Sequence, residues 1–549
     1  MLTRPRSPAP CALGSPGRKS APRSPESIDW SPTRIQGPAA IDKLPRVTSS
    51  PPSPAPPGKW RRILFPPPNH ENKDNPIGSS FALTVVAVFV QGLSRFGYSL
   101  LIGNMLGSEI LGQVNLAISL ALFLVLLWPQ ASGNAASKFI AMARGQQHRE
   151  EQLSVAVYTS RTAALATAVL AVAAVGVATW SLHLPPSYAV SAGLLVVALS
   201  AYNFVRGVRT GNNQFVTTAV WDCISSGVTL TLLLLVLLGG FTPLLLLPLS
   251  LGYLIYAIPG WPRTSGGPLP RPLKREINTF TVWAAINILT ASGLLQLSMI
   301  MGKHYDTASA VGQYSAAVSI ATPASMLSSS MLVALAPAVA RMFTAGDLPG
   351  MRRQLDSILR IMVLVFLPVF GVGILWAEPI IHLLYNARAE EFTQAAPLLI
   401  VLFFAVSATS FNASNSRLNG GENWGVRALA AGNAVGLLLG VGTILWWGPE
   451  LGVMAAALGY LVGCLVSSLG PLVIVWIHDR MAWTGLMLRV AAGYVLVLTG
   501  VWFVTTHPGI GSNVLATLVF LTAWFAISWQ DVVPRLHSLR GRAQLRRER

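Results

Sequence analysis

E-I-L-G-Q-V-N-L-A-I-S-L-A at residues 109–121 returns at 309–321 as S-A-V-G-Q-Y-S-A-A-V-S-I-A. The two stretches align without a gap. Gly112 and Gln113 meet Gly312 and Gln313, and Ala117, Ser119 and Ala121 meet Ala317, Ser319 and Ala321. Each opens a long apolar run. The chain therefore writes one half-polar helix entrance twice, and the stretch between the copies is one structural repeat.

The composition says what is repeated. Of 549 residues 52% are hydrophobic and 11% charged, with a mean hydropathy of +0.54; soluble domains average about 25% charged residues. A bilayer core asks for about 20 apolar residues per helical crossing. From residue 80 such runs follow one another at 80–102, 110–137, 155–180, 188–205, 214–238, 241–260, 277–301, 310–340, 358–385, 393–415, 424–447, 451–477, 485–505 and 512–530. The expectation is an all-α integral membrane protein with about fourteen transmembrane helices. A transmembrane barrel is excluded, because the runs are continuous rather than alternating. Of the three cysteines, Cys11, Cys223 and Cys464, the last two lie in apolar runs and read as packing residues; their scatter excludes a disulfide framework.

Cations give direction. Loops after even-numbered spans carry Lys138, Arg144 and Arg149, then Arg206 and Arg209, then Arg263, Arg271, Lys274 and Arg275; the same side continues with Arg341, Arg352, Arg353, Arg417 and Arg480. The other side holds Lys303 and Arg388 among Glu109, Asp306, Glu390, Glu391 and Glu450. The positive-inside rule puts both termini in the cytoplasm of an inner-membrane protein. Six crossings separate the two copies, so both enter from the outer side and the repeat is parallel. The expected organisation is a six-helix lobe (77–260), a Pro/Gly-rich basic linker (261–276), a second six-helix lobe (277–480) and an extra helix pair (481–530). Residues 1–76 are rich in Pro, Ser, Lys and Arg, cannot bury a core and carry no apolar signal core, so they read as a disordered cytoplasmic tail. Residues 531–549 form a second basic tail. The net charge of +18 is concentrated in these tails, which suits anionic headgroups rather than nucleic acid.

Several motifs carry a family resemblance. G-x-x-x-G-S-E-x-x-G-Q (103–113), G-Q-Y-S-A-A-V-S-I-A with L-A-P-A-V-A-R-M-F-T-A-G-D (312–347), L-L-Y-N-A-R-A-E-E-F-T-Q-A-A-P-L-L-I (383–400), G-N-A-V-G-L-L-L-G (432–440) and G-P-E-L-G-V-M-A-A-A-L-G-Y (448–460) stand in this order. Their order and spacing resemble the polysaccharide-export flippases of the multidrug/oligosaccharidyl-lipid/polysaccharide exporter superfamily. The resemblance implies a cavity lined by spans 1, 2, 7 and 8, and a span count similar to the lipid II flippases, with spans 13 and 14 accommodating a lipid tail. Where lipid II flippases carry several arginines in the first two spans, this chain has Arg95. That departure favours a related lipid-linked glycan or wall-polymer precursor.

The polar residues fall where such a cavity needs them. Span 1 holds Gln91, Ser94 and Arg95; span 2 holds Gln113, Asn115, Gln130, Asn134 and Lys138; span 7 holds Asn287 and Gln296; span 8 holds Ser315 and Ser319. An arginine in mid-membrane costs about 2.5–3.5 kcal/mol on insertion scales and so faces protein or water. Its fork can grip a phosphate bidentately, or bond to carbonyls in a structural role. Gln130, Asn134 and Lys138 share one helical face and suit a sugar-diphosphate path, or interhelical bonding with Lys138 as a surface anchor. Trp128-Pro129 marks a kink. The substrate-binding candidates are Arg95, Gln91, Gln130, Asn134, Lys138, Asn287 and Gln296. For ion coupling the candidates are Asp222, for which pairing with Arg206 or Arg209 is the alternative, and Asn433, which offers an oxygen to Na⁺.

No phosphate loop, nucleophile constellation or metal-ligand spacing is present. The resulting expectation is a flippase for a polyprenyl-diphosphate saccharide, working by alternating access without a chemical cofactor. Expected partners are the lipid-linked glycan, anionic lipids and glycan polymerases or glycosyltransferases. A cation-coupled drug antiporter and a polyprenyl-dependent glycosyltransferase are the alternatives; the first wants a central carboxylate, the second a catalytic acid on a substantial outer loop.

Overall fold

A computed structural model describes residues 77–264, 266–420 and 423–530, and all regular structure among them is helical. Both basic tails lie outside these residues. In the first half α1 (Ile77–Leu106) and α2 (Ser108–Leu127) are separated by Gly107, whose φ of +90° turns the chain. Pro129 then splits span 2 into α2 and α3 (Pro129–Gly145), because its ring removes an N–H and clashes with the preceding turn. Next come α4 (Arg149–Gly176), ending in a π turn at Val177–Ser181, then α5 (Pro186–Gly211), α6 (Phe215–Leu238) and the short α7 (Leu247–Ala257).

The second half follows the same order. It runs α8 (Arg271–Tyr305), α9 (Ala308–Thr344), α10 (Leu348–Leu375), α11 (Ala377–Leu384), α12 (Ala395–Ala408), α13 (Ala413–Gly420), α14 (Asn423–Leu451) and α15 (Val453–His478). The chain closes with α16 (Thr484–Thr506) and α17 (Ile510–Ile527).

Among the described residues 12 helical segments are long and apolar enough to cross a membrane. Two further helices, α1 with 30 residues and α9 with 37, occupy the positions of predicted spans 1 and 8. At 1.5 Å per residue they run ~45 Å and ~55 Å, more than a hydrocarbon core requires.

Helices α1 to α7 pack among themselves, as do α8 to α15, while α16 and α17 pack on each other and on α10. The two groups meet where α1, α2 and α3 touch α8 and α9. Several helices begin deeper in the polar zone than hydropathy suggests. Helix α8 opens at Arg271, inside the predicted linker, and α10 opens at Leu348 rather than 358. Asp347 caps α10 by accepting from the Gly350 N–H at 2.9 Å. Cys223, expected in the packed interior, stands on the exposed face of α6.

Candidate substrate cavity between the two helix groups

The repeated G-Q entrance lies on the acidic end of the bundle, and there the two copies pack against each other. A β-carbon at Gly112 would collide with the Ala308 carbonyl and stand 2.8 Å from the Gly312 nitrogen. One at Gly312 would collide with the Ser108 carbonyl and stand 3.1 Å from the Gly112 nitrogen. The contact is reciprocal, as across a two-fold axis. Ser108 and Gly112 on α2, with Ala308 and Gly312 on α9, form a small-xxx-small crossing of the kind that lets membrane helices meet backbone to backbone.

Polar clamps surround this crossing. The hydroxyls of Ser108 and Ser309 are 2.7 Å apart. Glu391 accepts from the Ser108 N–H at 3.2 Å and pairs with Arg388 at 2.8 Å. Asn104 donates to the Leu384 carbonyl at 2.8 Å, and the Gln394 N–H donates to the Gln313 side chain at 2.9 Å. The acidic end is closed. A Gly112→Val variant is expected to part α2 from α9, raising the reactivity of a Ser309→Cys thiol toward an impermeant maleimide several-fold over the glycine parent.

Behind the crossing lies a cavity of about 100 Å³. Its polar wall comes from α1 (Arg95, Ser99), α2 (Asn115, Ser119), α8 (Gln296) and α9 (Ser315, Ser319, Thr322), with Met299 of α8 and Leu249 of α7 among the apolar lining. The polar residues stand on spans 1, 2, 7 and 8, brought together because the inter-group contacts run through them. Ser99 donates to Asn115 at 3.3 Å, and Ser119 donates to the Met299 sulfur at 3.0 Å. Arg95 makes no hydrogen bond or ion pair to any described residue, and among the described residues no carboxylate lines the cavity. A space this small holds several waters and no sugar. A larger molecule fits there only if α1 and α2 part from α8 and α9.

The remaining candidates fall elsewhere. Gln91 lies with Arg95 and Asp222 around a second, smaller cavity inside the first helix group. There Arg206 donates to Gln91 and to the Tyr202 hydroxyl, both at 3.1 Å, and stands 3.7 Å from Asp222. Tyr202 donates to Asp222 at 2.8 Å. Asp222 thus already holds a tethered cation. Gln130, Asn134 and Lys138 are on α3, past the break, and outside the central wall; Asn134 and Lys138 are exposed, with the Lys138 ammonium 4.3 Å from the Phe280 ring centroid. Asn287 is exposed on α8, and Asn433 is buried on α14 outside the cavity wall. Ser99 and Thr322 also belong to the wall, although a lone hydroxyl in an apolar run gives no signal in the sequence until its neighbours are known.

The MatE family model matches residues 284–445. Among solved structures, the lipid II flippase MurJ in an inward closed conformation is similar with a TM-score of 0.62 at 13% identity, covering 81% of this chain and 99% of that one. An inward-facing multidrug resistance MATE family transporter of the MOP superfamily is similar with a TM-score of 0.60 at 14% identity, covering 75% and 98%. A MOP superfamily transporter from Pyrococcus furiosus gives a TM-score of 0.54 at 14% identity, covering 77% and 98%. No curated protein matches the chain in sequence. The chain shares the all-helical fold of these solved proteins.

Proposed function

We propose that the chain is an alternating-access transporter of the cytoplasmic membrane and that its cargo is a saccharide linked to a polyprenyl diphosphate. The observation that carries this reading is the central wall: one cation, Arg95, among hydroxyls and amides, with no carboxylate in the described lining. A diphosphate matches such a wall, since charge-assisted N–H···O bonds to phosphate are about twice as strong as neutral ones. Hydroxyl and amide side chains suit a sugar's hydroxyls. The similarity to MurJ supports a lipid-linked cargo, and α16 and α17 would border the path of its tail. The inward direction of the basic tails and contact with glycan-assembling enzymes belong to the same proposal.

The MatE match favours a second reading, a cation-coupled antiporter with Asp222 as the coupling acid. That reading needs Arg206 to release Asp222 during the cycle, because the two stand 3.7 Å apart.

The test is transport in vesicles of defined lipid holding the purified full-length protein. A fluorescent polyprenyl-diphosphate glycan is expected to cross faster than in protein-free vesicles, and equal crossing rejects the reading. Arg95→Ala is expected to slow crossing roughly ten- to one-hundred-fold, the cost of one charged hydrogen-bonding partner. Arg95→Lys should retain part of the rate, because a point charge replaces the fork. Unchanged transport by Arg95→Ala reduces Arg95 to a packing role.

A further inference from the structure

A separate pocket opens at the cationic end of the first helix group, between the start of α4, the turn after α5 and the segment that follows α7. Its volume is about 240 Å³. Arg209 and Arg263 line it together with Gln152, Asn212, Gln214 and Thr264, and among the described residues no carboxylate does. It lies away from the cavity between the two groups and shares no residue with it.

The two arginines differ in setting. Arg209 is 4% exposed, and its Nη1 is buried without a hydrogen-bond partner. Its Nη2 reaches the Tyr256 carbonyl only at 3.4 Å. The guanidinium lies 4.4 Å from the Tyr256 ring centroid and 5.6 Å from that of Trp221, contacts that orient the charge without neutralising it. Asp222, the acid on the adjoining α6, is engaged by Arg206 and Tyr202. A buried charged donor left unmatched is costly, so its presence calls for a partner. Arg263 is exposed and uses Nη2 on the Ile258 carbonyl at 3.1 Å, which leaves most of its five donors open.

The rest of the wall is set by backbone. Asn213 takes a φ of +59°, and the Gln214 N–H returns to the Arg209 carbonyl at 2.9 Å, which fixes the turn that carries Asn212 and Gln214. A β-carbon at Gly260 would collide with Val205 and stand 3.0 Å from Arg209 Nε, so the bare glycine is what lets the following segment close over the arginine. The side-chain amides of Gln152, Asn212 and Gln214 make no hydrogen bond to any described residue. Trp261 packs on Phe204 with ring centroids 5.2 Å apart and stands half-buried, the amphipathic setting of a membrane-interface aromatic.

We infer that this pocket binds a phosphate group at the membrane surface, gripped by Arg209 and Arg263 and by the amides of Gln152, Asn212 and Gln214. The group can be borne by a lipid headgroup or by a free phosphate ion, since both present the same oxygens to a guanidinium fork.

The experiment compares thermal unfolding midpoints of the full-length protein in a neutral detergent. Its arms are dioctanoyl phosphatidylglycerol, dioctanoylglycerol as the phosphate-free control, inorganic phosphate, and sodium chloride at matched ionic strength. The expected result is a rise of several degrees with the phospholipid over its control, absent in Arg263→Gln and preserved in Arg352→Gln, a cation elsewhere on the same end. Arg263 is exposed, so that variant leaves the packed interior untouched; Arg209→Met is the second variant where it folds. A response to the lipid alone assigns a headgroup, and a response to inorganic phosphate over chloride assigns a free anion. No response in the parent, or an equal response in Arg263→Gln, overturns the inference.

Discussion

Oxidation of a Ser108→Cys/Ser309→Cys pair is expected to lower transport to the level of protein-free vesicles, and a reducing agent is expected to restore it. The parent hydroxyls stand 2.7 Å apart, close to the reach of a disulfide, whose sulfurs are about 2.05 Å apart. The bond would tie α2 to α9 beside Gly112 and Gly312, where the two groups touch most closely. A cavity of about 100 Å³ cannot load cargo from the acidic end while that crossing is held shut. The measurement uses a background free of Cys11, Cys223 and Cys464, with each single cysteine as a control. Cross-linked protein that transports at the parent rate would remove this crossing from the cycle.

The second large effect concerns stability. Arg417→Met is expected to destabilise the protein by about 3–5 kcal/mol, because it strands a buried carboxylate. Arg417 and Asp479 have side chains 6% and 5% exposed and pair through Nε at 3.0 Å and Nη2 at 3.4 Å. The guanidinium also lies 5.2 Å from the Phe343 ring centroid, and His478 stands 3.1 Å from the same carboxylate. Replacing both partners, as Arg417→Met with Asp479→Leu, should recover most of the loss, since an apolar pair carries no desolvation penalty. Thermal midpoints of the two single variants and the double variant decide it. A double variant no better than the singles would show that the charges themselves, not their pairing, support the fold.

Arg417 also shows where sequence reading stops. It and Arg209 read as loop cations that set orientation, and both do lie at the cationic end. Each is nonetheless buried by groups from elsewhere in the chain: Asp479 pairs with Arg417, and the rings of Trp221 and Tyr256 cover Arg209. Hydropathy and the G-Q repeat gave the order of crossings, and the proline at 129 marked the break in span 2. The apolar runs fall short of the ends of α8 and α10, because those helices continue into polar residues that hydropathy does not score.

The site was legible in the same proportion. Spans 1, 2, 7 and 8 do form the central wall, with Arg95 and Gln296 on it. Gln130, Asn134 and Lys138 do share the single helix α3, but the sequence assigns them to the same span as Gln113 and Asn115, and the break at Pro129 separates the two sets. Trp128, with φ −145° and ψ −48°, resets the phase, so α3 turns its polar face away from the wall that α2 serves. Gln91 sits one turn before Arg95, yet its partner, Arg206, draws it into the first group. No period reveals that.

The meeting of Gly112 with Gly312 has a kinetic consequence. Two helices joined through bare backbone have no rotamers to rearrange when they part, so the seam behaves as a gasket and not as a latch. Its opening breaks dispersion contacts over a small area, each worth little. Latching falls to the rim, where Glu391, held by Arg388, accepts from the Ser108 N–H and Asn104 donates to the Leu384 carbonyl, both across the seam. The dwell time of the shut form is therefore tunable from those loops without altering the surface that seals.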